Sequence, residues 1–210
     1  MTTAQLHIGV NLGVQKVASN VRDDFLPEEV DYFLNESVKD YIKQQYSEIK
    51  TESRTIESQY VNENLRTLIT TSELNNSSVV DYLPNTIENS LPNDYLYYIF
   101  SRTKNDGQWF NNRRLEPKAI KDYVETESNS PQFREFPILI QNDKVLVIGD
   151  GVNILTSGAE ITLTYIKEPN EVDFKARPSE ELTLPLHTHT EIVNLTVDKL
   201  LTVIQGRREQ

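Results

Sequence analysis

In the stretch DFLPEEVDYFLNESVKDYIKQQYSEI, apolar side chains recur at steps of three and four. Val30, Phe33, Leu34, Val38, Tyr41, Ile42, Tyr46 and Ile49 draw one stripe along a helix. Pro27 suits the first helical position, where its missing N–H would be unpaired in any case. Glu28, Glu29 and Asp31 follow in the first turn, where the helix dipole favours negative charge. A helix over 27–49 would be ~35 Å long at ~1.5 Å per residue. Burying about eight large side chains at ~1.5–3 kcal/mol each gives well over ~10 kcal/mol gross, so the stripe demands an apolar partner. Val193, Val197, Leu200, Leu201 and Ile204, broadened by Ile192 and Leu195, offer one near the other end of the chain. There Thr188 and Glu191 stand at capping-box spacing with Pro185 just upstream, and Gly206 is placed to stop the helix. Arg207 and Arg208 follow at the negative end of its dipole. The two stripes predict direct packing of helix 27–49 on helix 189–205.

Between these helices the pattern changes. Val61, Leu65, Leu68, Ile69 and Leu74 give a weaker stripe that predicts a second helix, ended by the loop Asn75-Asn76-Ser77-Ser78. From Leu91 onward, prolines and turn signals cut the chain into short pieces rich in aromatic and β-branched residues. Residues 95–103 and 108–115 flank Asn105-Asp106-Gly107, which predicts a β-hairpin. A short helix with Pro117 near its start would place Ile120, Tyr123 and Val124 on one face. Strands follow over 136–141, 144–148 and 160–167, the last alternating Ile161, Leu163 and Tyr165 with Thr162, Thr164 and Ile166. At the start of the chain Leu6, Ile8, Val10, Leu12 and Val14 alternate with His7, Gly9, Asn11 and Gly13. That period of two reads as a strand without a local partner, which must pair far along the chain, pair on a neighbouring subunit, or fray. The expected fold class is α+β, a helical bundle formed by N- and C-terminal helices with an inserted antiparallel β region. Its parts are an arm at 1–22, the bundle at 23–90 and 185–210, and an insertion at 91–184, shorter than the ~100–150 residues of a typical domain.

Composition narrows what such a fold is for. At 210 residues the chain fits one domain, or one domain with a substantial insertion. With 37% apolar and 25% charged residues it should fold, though with a polar surface. No apolar run approaches the ~18 residues of a membrane span, and no signal peptide is expected at its start. The absence of cysteine excludes a disulfide framework and a thiolate metal site. A formal net charge of −11 argues against a protein that grips nucleic acid by its phosphates, while leaving room for one past which DNA must slide. The charge is also uneven: residues 1–22 hold Lys16 and Arg22 and no acid, whereas 23–36 hold six acids and no base.

Candidate chemistry is sparse. His187 and His189 are two apart, a spacing that shares a face only on a strand, yet they fall at a helix start. No third ligand is spaced nearby, so a structural or solvent-facing role is expected and no metal is assigned. Gly149-Asp150-Gly151 lacks the following helix that a phosphate-binding loop needs. No nucleophile and base pairing stands out, so no catalytic or cofactor residue is nominated. Tyr95, Tyr97, Tyr98 and Phe100 form an aromatic run that reads as strand core or subunit contact before it reads as a sugar-stacking surface.

The order of these elements resembles a family. QKVASN at 15–20 and LPEEVDYFLN at 26–35 look like the opening of structural proteins of crAss-like and related tailed phages. Leu91-Pro92-Asn93-Asp94-Tyr95-Leu96 resembles the LP-x-D-aromatic-L approach to the β insertion of phage head-to-tail adaptors. Tyr165-Ile166-Lys167-Glu168-Pro169 is similar to their Y-x-x-x-P strand end, and Leu184-Pro185 with His189 and Glu191-Ile192-Val193 to the start of their last helix. The resemblance runs from about Gln15 to Ile204. It implies a non-enzymatic virion part, a subunit of a ring in the neck below the portal, present in about twelve copies. Its partners would be the portal protein and adjacent neck or tail rings, with DNA passing through the lumen and no membrane involved. Terminal segments would reach neighbouring subunits, which makes Leu6, Ile8, Val10, Leu12, Val14, Arg207 and Arg208 candidate inter-subunit contacts beside Tyr97 and Phe100. The alternating arm and the acidic run 23–36 depart from the family pattern and leave the position within the neck open. Two readings compete with it: a receptor- or carbohydrate-binding accessory of the tail, and a wall hydrolase, for which no acid/base site is found.

Overall fold

The arm that alternates like a strand is a helix. In the computed structural model α1 runs Thr3–Val17, α2 Pro27–Thr51 and α3 His189–Arg208, the last entered through a 3-10 turn at Leu186–Thr188. The structure describes residues 1–17, 25–51, 63–74, 78–80, 86–116, 135–149, 155 and 158–208. The fold is mixed α+β, and the chain divides into two compact units: Met1–Leu68 with Glu168–Gln210, and Ile69–Lys167.

In the helical unit, α3 packs against both α1 and α2. Val30, Leu34, Val38, Tyr41 and Ile42 of α2 and Ile192, Val193, Val197, Leu200 and Ile204 of α3 are buried, as the two stripes require. Lys199 ties the helices together at the surface, 2.6 Å from Asp40 and 3.8 Å from Glu36.

The helical period of α1 has a physical cause. Leu6, Val10 and Val14 lie at steps of four as well as two, and the helix takes the longer period. With Thr3 and His7 they form its buried face, while Ile8 and Leu12 point outward, 58% and 61% exposed. Gly9 and Gly13, which look like the polar side of a strand, instead face α3, and Gly13 lets the two helices approach closely. A Cβ on Gly9 would meet Val193 at 3.4 Å, and one on Gly13 would meet Val197 at 2.6 Å. Thr2 and Gln5 cap the helix reciprocally: the Gln5 N–H donates to Thr2 Oγ1 at 3.3 Å, and the Thr2 N–H to Gln5 Oε1 at 3.0 Å. The next free N–H groups, of Thr3 and Ala4, donate to the carbonyls of Glu180 and Pro178.

The helices end differently from the sequence signals in two places. α3 runs through Gly206 to Arg208, since glycine weakens a helix without stopping it unless the backbone turns left-handed. Thr188 donates its hydroxyl to the Pro185 carbonyl at 2.9 Å, closing the 3-10 turn that leads into α3. The helix expected from Val61 to Leu74 is cut short, its start at Val61 lying outside the described residues. Residues 63–65 are helical, the Leu68 N–H returns to Leu65 O, and Ile69–Leu74 become strand β1. A full ladder to a strand far along the chain prevails there over a marginal helical stripe.

In the strand unit, β1 (Ile69–Leu74), β2 (Ser78–Val80), β3 (Thr86–Ser90), β4 (Tyr95–Asn105), β5 (Gln108–Arg114), β6 (Glu135–Gln141), β7 (Lys144–Ile148) and β8 (Glu160–Lys167) make one sheet. Their order is β1-β8-β4-β5-β6-β7-β3-β2. Neighbours are antiparallel except β5 and β6, which run parallel. The expected all-antiparallel insertion is corrected on this point, the long connection between β5 and β6 being sufficient for a parallel return. Asp106 and Gly107, at φ of 48° and 76°, turn β4 into β5, and Asn142 and Asp143, at 50° and 58°, turn β6 into β7. One face is the core, with Phe136, Ile138, Val145, Val147, Ile161 and Leu163 fully buried beside Tyr98, Phe110 and Tyr165. The unit therefore spans Ile69–Lys167 rather than 91–184, because β1 to β3 join it and residues 168–184 belong to the helical unit. The short helix expected near Pro117 lies outside the described residues.

Candidate functional site

Two surfaces, one on each unit, carry side chains that packing leaves unexplained. The first lies on the helical unit, where α1 meets the start of α2. Asp31 of α2 accepts His7 Nε2 at 2.8 Å and the Phe174 backbone N–H at 3.1 Å, while the His7 ring stacks on Phe174 with centroids 4.6 Å apart. Asn35 fixes the same segment by exchanging hydrogen bonds with the Val172 backbone, at 2.8 Å from its N–H and 3.0 Å to its carbonyl. Above this anchored floor opens a groove of about 240 Å³ lined by His7, Ile8, Phe25, Pro27, Val30 and Phe174. Leu12 and Leu26 are further exposed apolar side chains of α1 and of the approach to α2. At the start of α2, Glu28 pairs with Lys175 and Glu29 Oε2 accepts the Leu26 N–H at 3.0 Å.

The second surface is the outer face of the β4–β5 hairpin. Its inner face is pinned by a buried neutral network: Asn112 donates to Ser101 Oγ at 3.0 Å, Thr103 donates to Asn112 Oδ1 at 3.0 Å, and Tyr98 shares a bond with Ser101. With Phe110 and Asn112 inward, strand alternation turns Trp109 out, 50% exposed, opposite Lys104. The Arg102 guanidinium lies 5.7 Å from the centroid of Phe100 and 5.6 Å from that of Trp109, and Lys104 Nζ lies 5.9 Å from Trp109. Lys104 also pairs with Glu160 at 3.0 Å. Among the described residues, Arg102 and Arg113 have no acidic partner. Residues 95–114 hold four bases and one acid in a chain of net charge −11.

The residues expected to make inter-subunit contacts separate accordingly. Leu6, Val10 and Val14 are corrected to core, since all three are buried within the helical unit. Ile8 and Leu12 remain on the surface. Phe100 is 38% exposed and Tyr97 half-buried. Arg207 and Arg208 close α3, and their side chains lie outside the described residues. Trp109 was missed, although the alternation of QWFNNRR around Phe110 carries the signal. The groove was missed with α1.

The histidines are held by protein groups. His189 is buried between the Met1 amine, 2.7 Å from Nδ1, and the Leu184 carbonyl, 2.7 Å from Nε2. Burial pushes its pKa below the ordinary value, and the neighbouring ammonium acts in the same direction. His187 Nε2 lies 2.9 Å from Asn64 Oδ1. Among the described residues, no three His, Asp or Glu side chains converge as metal ligands, and no helix is long and apolar enough to cross a membrane. Compared with known proteins, the chain matches no family model and no curated sequence.

Proposed function

We propose that this chain is a non-enzymatic structural protein of a tailed-phage virion, one subunit of a neck ring between portal and tail through which DNA passes. The observation that carries the reading is the construction of the helical unit. Helices from both ends of the chain pack together, and a strand unit is inserted between them, as the resemblance to head-to-tail adaptors implies. In this reading α1, α2 and α3 are the terminal helical bundle. The outward Ile8 and Leu12 of α1, and Phe100 and Trp109 of the hairpin, are contact surfaces that assembly would cover. The excess of acid suits a lumen that must repel phosphates, and acidic side chains should dominate its surface.

The test is the protein's state in solution and in the particle. Purified protein should be monomeric or weakly associated, and cryo-electron microscopy of virions should place it in a closed ring at the neck. A stable dimer in both settings, or a basic lumen, would overturn the reading. Exposed Trp109 and Phe100 beside Asn111 also favour a second one, a carbohydrate-binding tail accessory, which glycan-array binding lost in Trp109→Ala would support.

A further inference from the structure

The two surfaces differ in chemistry, one an apolar groove beside acids and the other an aromatic patch among cations. The groove is lined by apolar Phe25, Pro27 and Val30 at the start of α2, where the neighbouring acids are Glu28, already paired with Lys175, and Glu29. The hairpin presents an exposed indole between Arg102 and Lys104, in a stretch with four bases and one acid. An aromatic anchor entering an apolar pocket, with opposite charges around it, is the usual make-up of an interface hot spot. Like surfaces do not fit each other: two hairpins would repel by their cations, and a groove offers no projecting side chain to fill another groove. The contact is therefore head-to-tail, the kind that propagates into rings or filaments.

We propose that the β4–β5 hairpin of one copy docks on the α1–α2 groove of a second copy, with Trp109 seated beside Ile8 of its neighbour. This rests on the ring-subunit reading and gives it a specific contact. Arg102 and Arg113 meet the acidic start of the neighbour's α2, and Phe100 extends the apolar strip toward Leu12. A nucleic acid is the less favoured occupant of the hairpin, because the whole chain carries net charge −11 and Lys104 is already paired with Glu160.

The chain has no cysteine, so introduced thiols are the only ones present. Asn11 lines the groove and Asn111 shares the outer face of β5 with Trp109; both are exposed, so replacing them opens no core and leaves Trp109 and Ile8 in place. The full-length Asn11→Cys/Asn111→Cys double variant, concentrated and oxidised, should give a disulfide ladder. Mixing the two single variants should give a dimer containing one of each. Adding Trp109→Ala or Arg102→Glu to the double variant should lower the cross-linked yield roughly tenfold. Rings of unmodified protein, seen by electron microscopy, with no 11–111 disulfide in the double variant would overturn the contact and leave the ring reading standing. A ladder from a protein that assembles only into open filaments would support the contact and remove the ring. Protein that stays monomeric at every concentration without cross-linking would overturn the contact. So would dimers of Asn111→Cys with itself, or DNA retained at physiological salt through Arg102.

Discussion

The helical and strand units solve the problem of buried polarity in different ways. The helical unit buries ionisable groups and joins them to distant segments: His7 to Asp31, Asp31 onward to Phe174, and His189 to Met1. All three histidines of the chain lie in it. The strand unit fills the back of its main hairpin with neutral hydroxyls and an amide, Tyr98, Ser101, Thr103 and Asn112, within a few residues of one another. Neutral networks cost little to bury once satisfied and do not change with pH, whereas ionisable ones do. Between acid and neutral pH the helical unit should therefore respond to protons and the strand unit to packing. The strand unit's own buried phenol, Tyr165, donates to Asp94 and titrates only in strongly alkaline solution, because burial and the Asp94 carboxylate push it up to about 12.

The largest expected effect is in the strand unit. Phe136 is fully buried and lies 4.5 Å from Phe110, centroid to centroid, so Phe136→Ala should cost ~3–5 kcal/mol. Urea unfolding followed by the fluorescence of Trp109, the sole tryptophan, reads that unit directly. Leu34→Ala or Leu200→Ala, both fully buried where α2 and α3 meet the core, should each cost ~2–5 kcal/mol. Their loss should appear in the far-ultraviolet helical signal before the Trp109 transition. Coincident transitions for all three variants would mean that the units unfold as one, and the contrast in stability would fall.

A smaller pair of substitutions separates close approach from helix propensity. Gly13→Ala drives a methyl into Val197 and should cost ~1–3 kcal/mol, whereas Gly9→Ala meets Val193 at ordinary distance and should gain ~0.5–1 kcal/mol. Equal effects in thermal melts would show that α1 does not depend on its glycines for contact with α3.

The smallest effect is the one that tests the electrostatic side of the comparison. His189 has a lowered pKa in the folded state, so the unfolded chain binds its proton more readily. The stability it contributes is present above the ordinary value of 6.5 and is lost as pH falls through the lower folded value. The helical signal should become easier to unfold with urea over that window, and His189→Gln should flatten the change. The strand unit has no histidine and should show no matching step. An equal step in the Trp109 signal would contradict the division.

Elements whose signals are local were legible in the chain. The two-residue turns at Asp106-Gly107 and Asn142-Asp143 declare their hairpins because few residues tolerate positive φ, and the α2 and α3 stripes are long enough for only one period to fit. Thr2 and Gln5 stood at capping-box spacing too, a local signal that the stronger alternation of the arm obscured. Other features had no local signal. Whether Leu6, Val10 and Val14 obey a period of two or four depended on Val193 and Val197, nearly two hundred residues away, which reward the glycine face of a helix. Ile69–Leu74 became a strand because β8 offered it a ladder, and Trp109 gained its cations from residues across the hairpin. Periodicity and turn chemistry are properties of a segment and can be read from it. Pairing, close approach and the grouping of charges into a surface are properties of two segments at once, and they arise only when the chain brings both together.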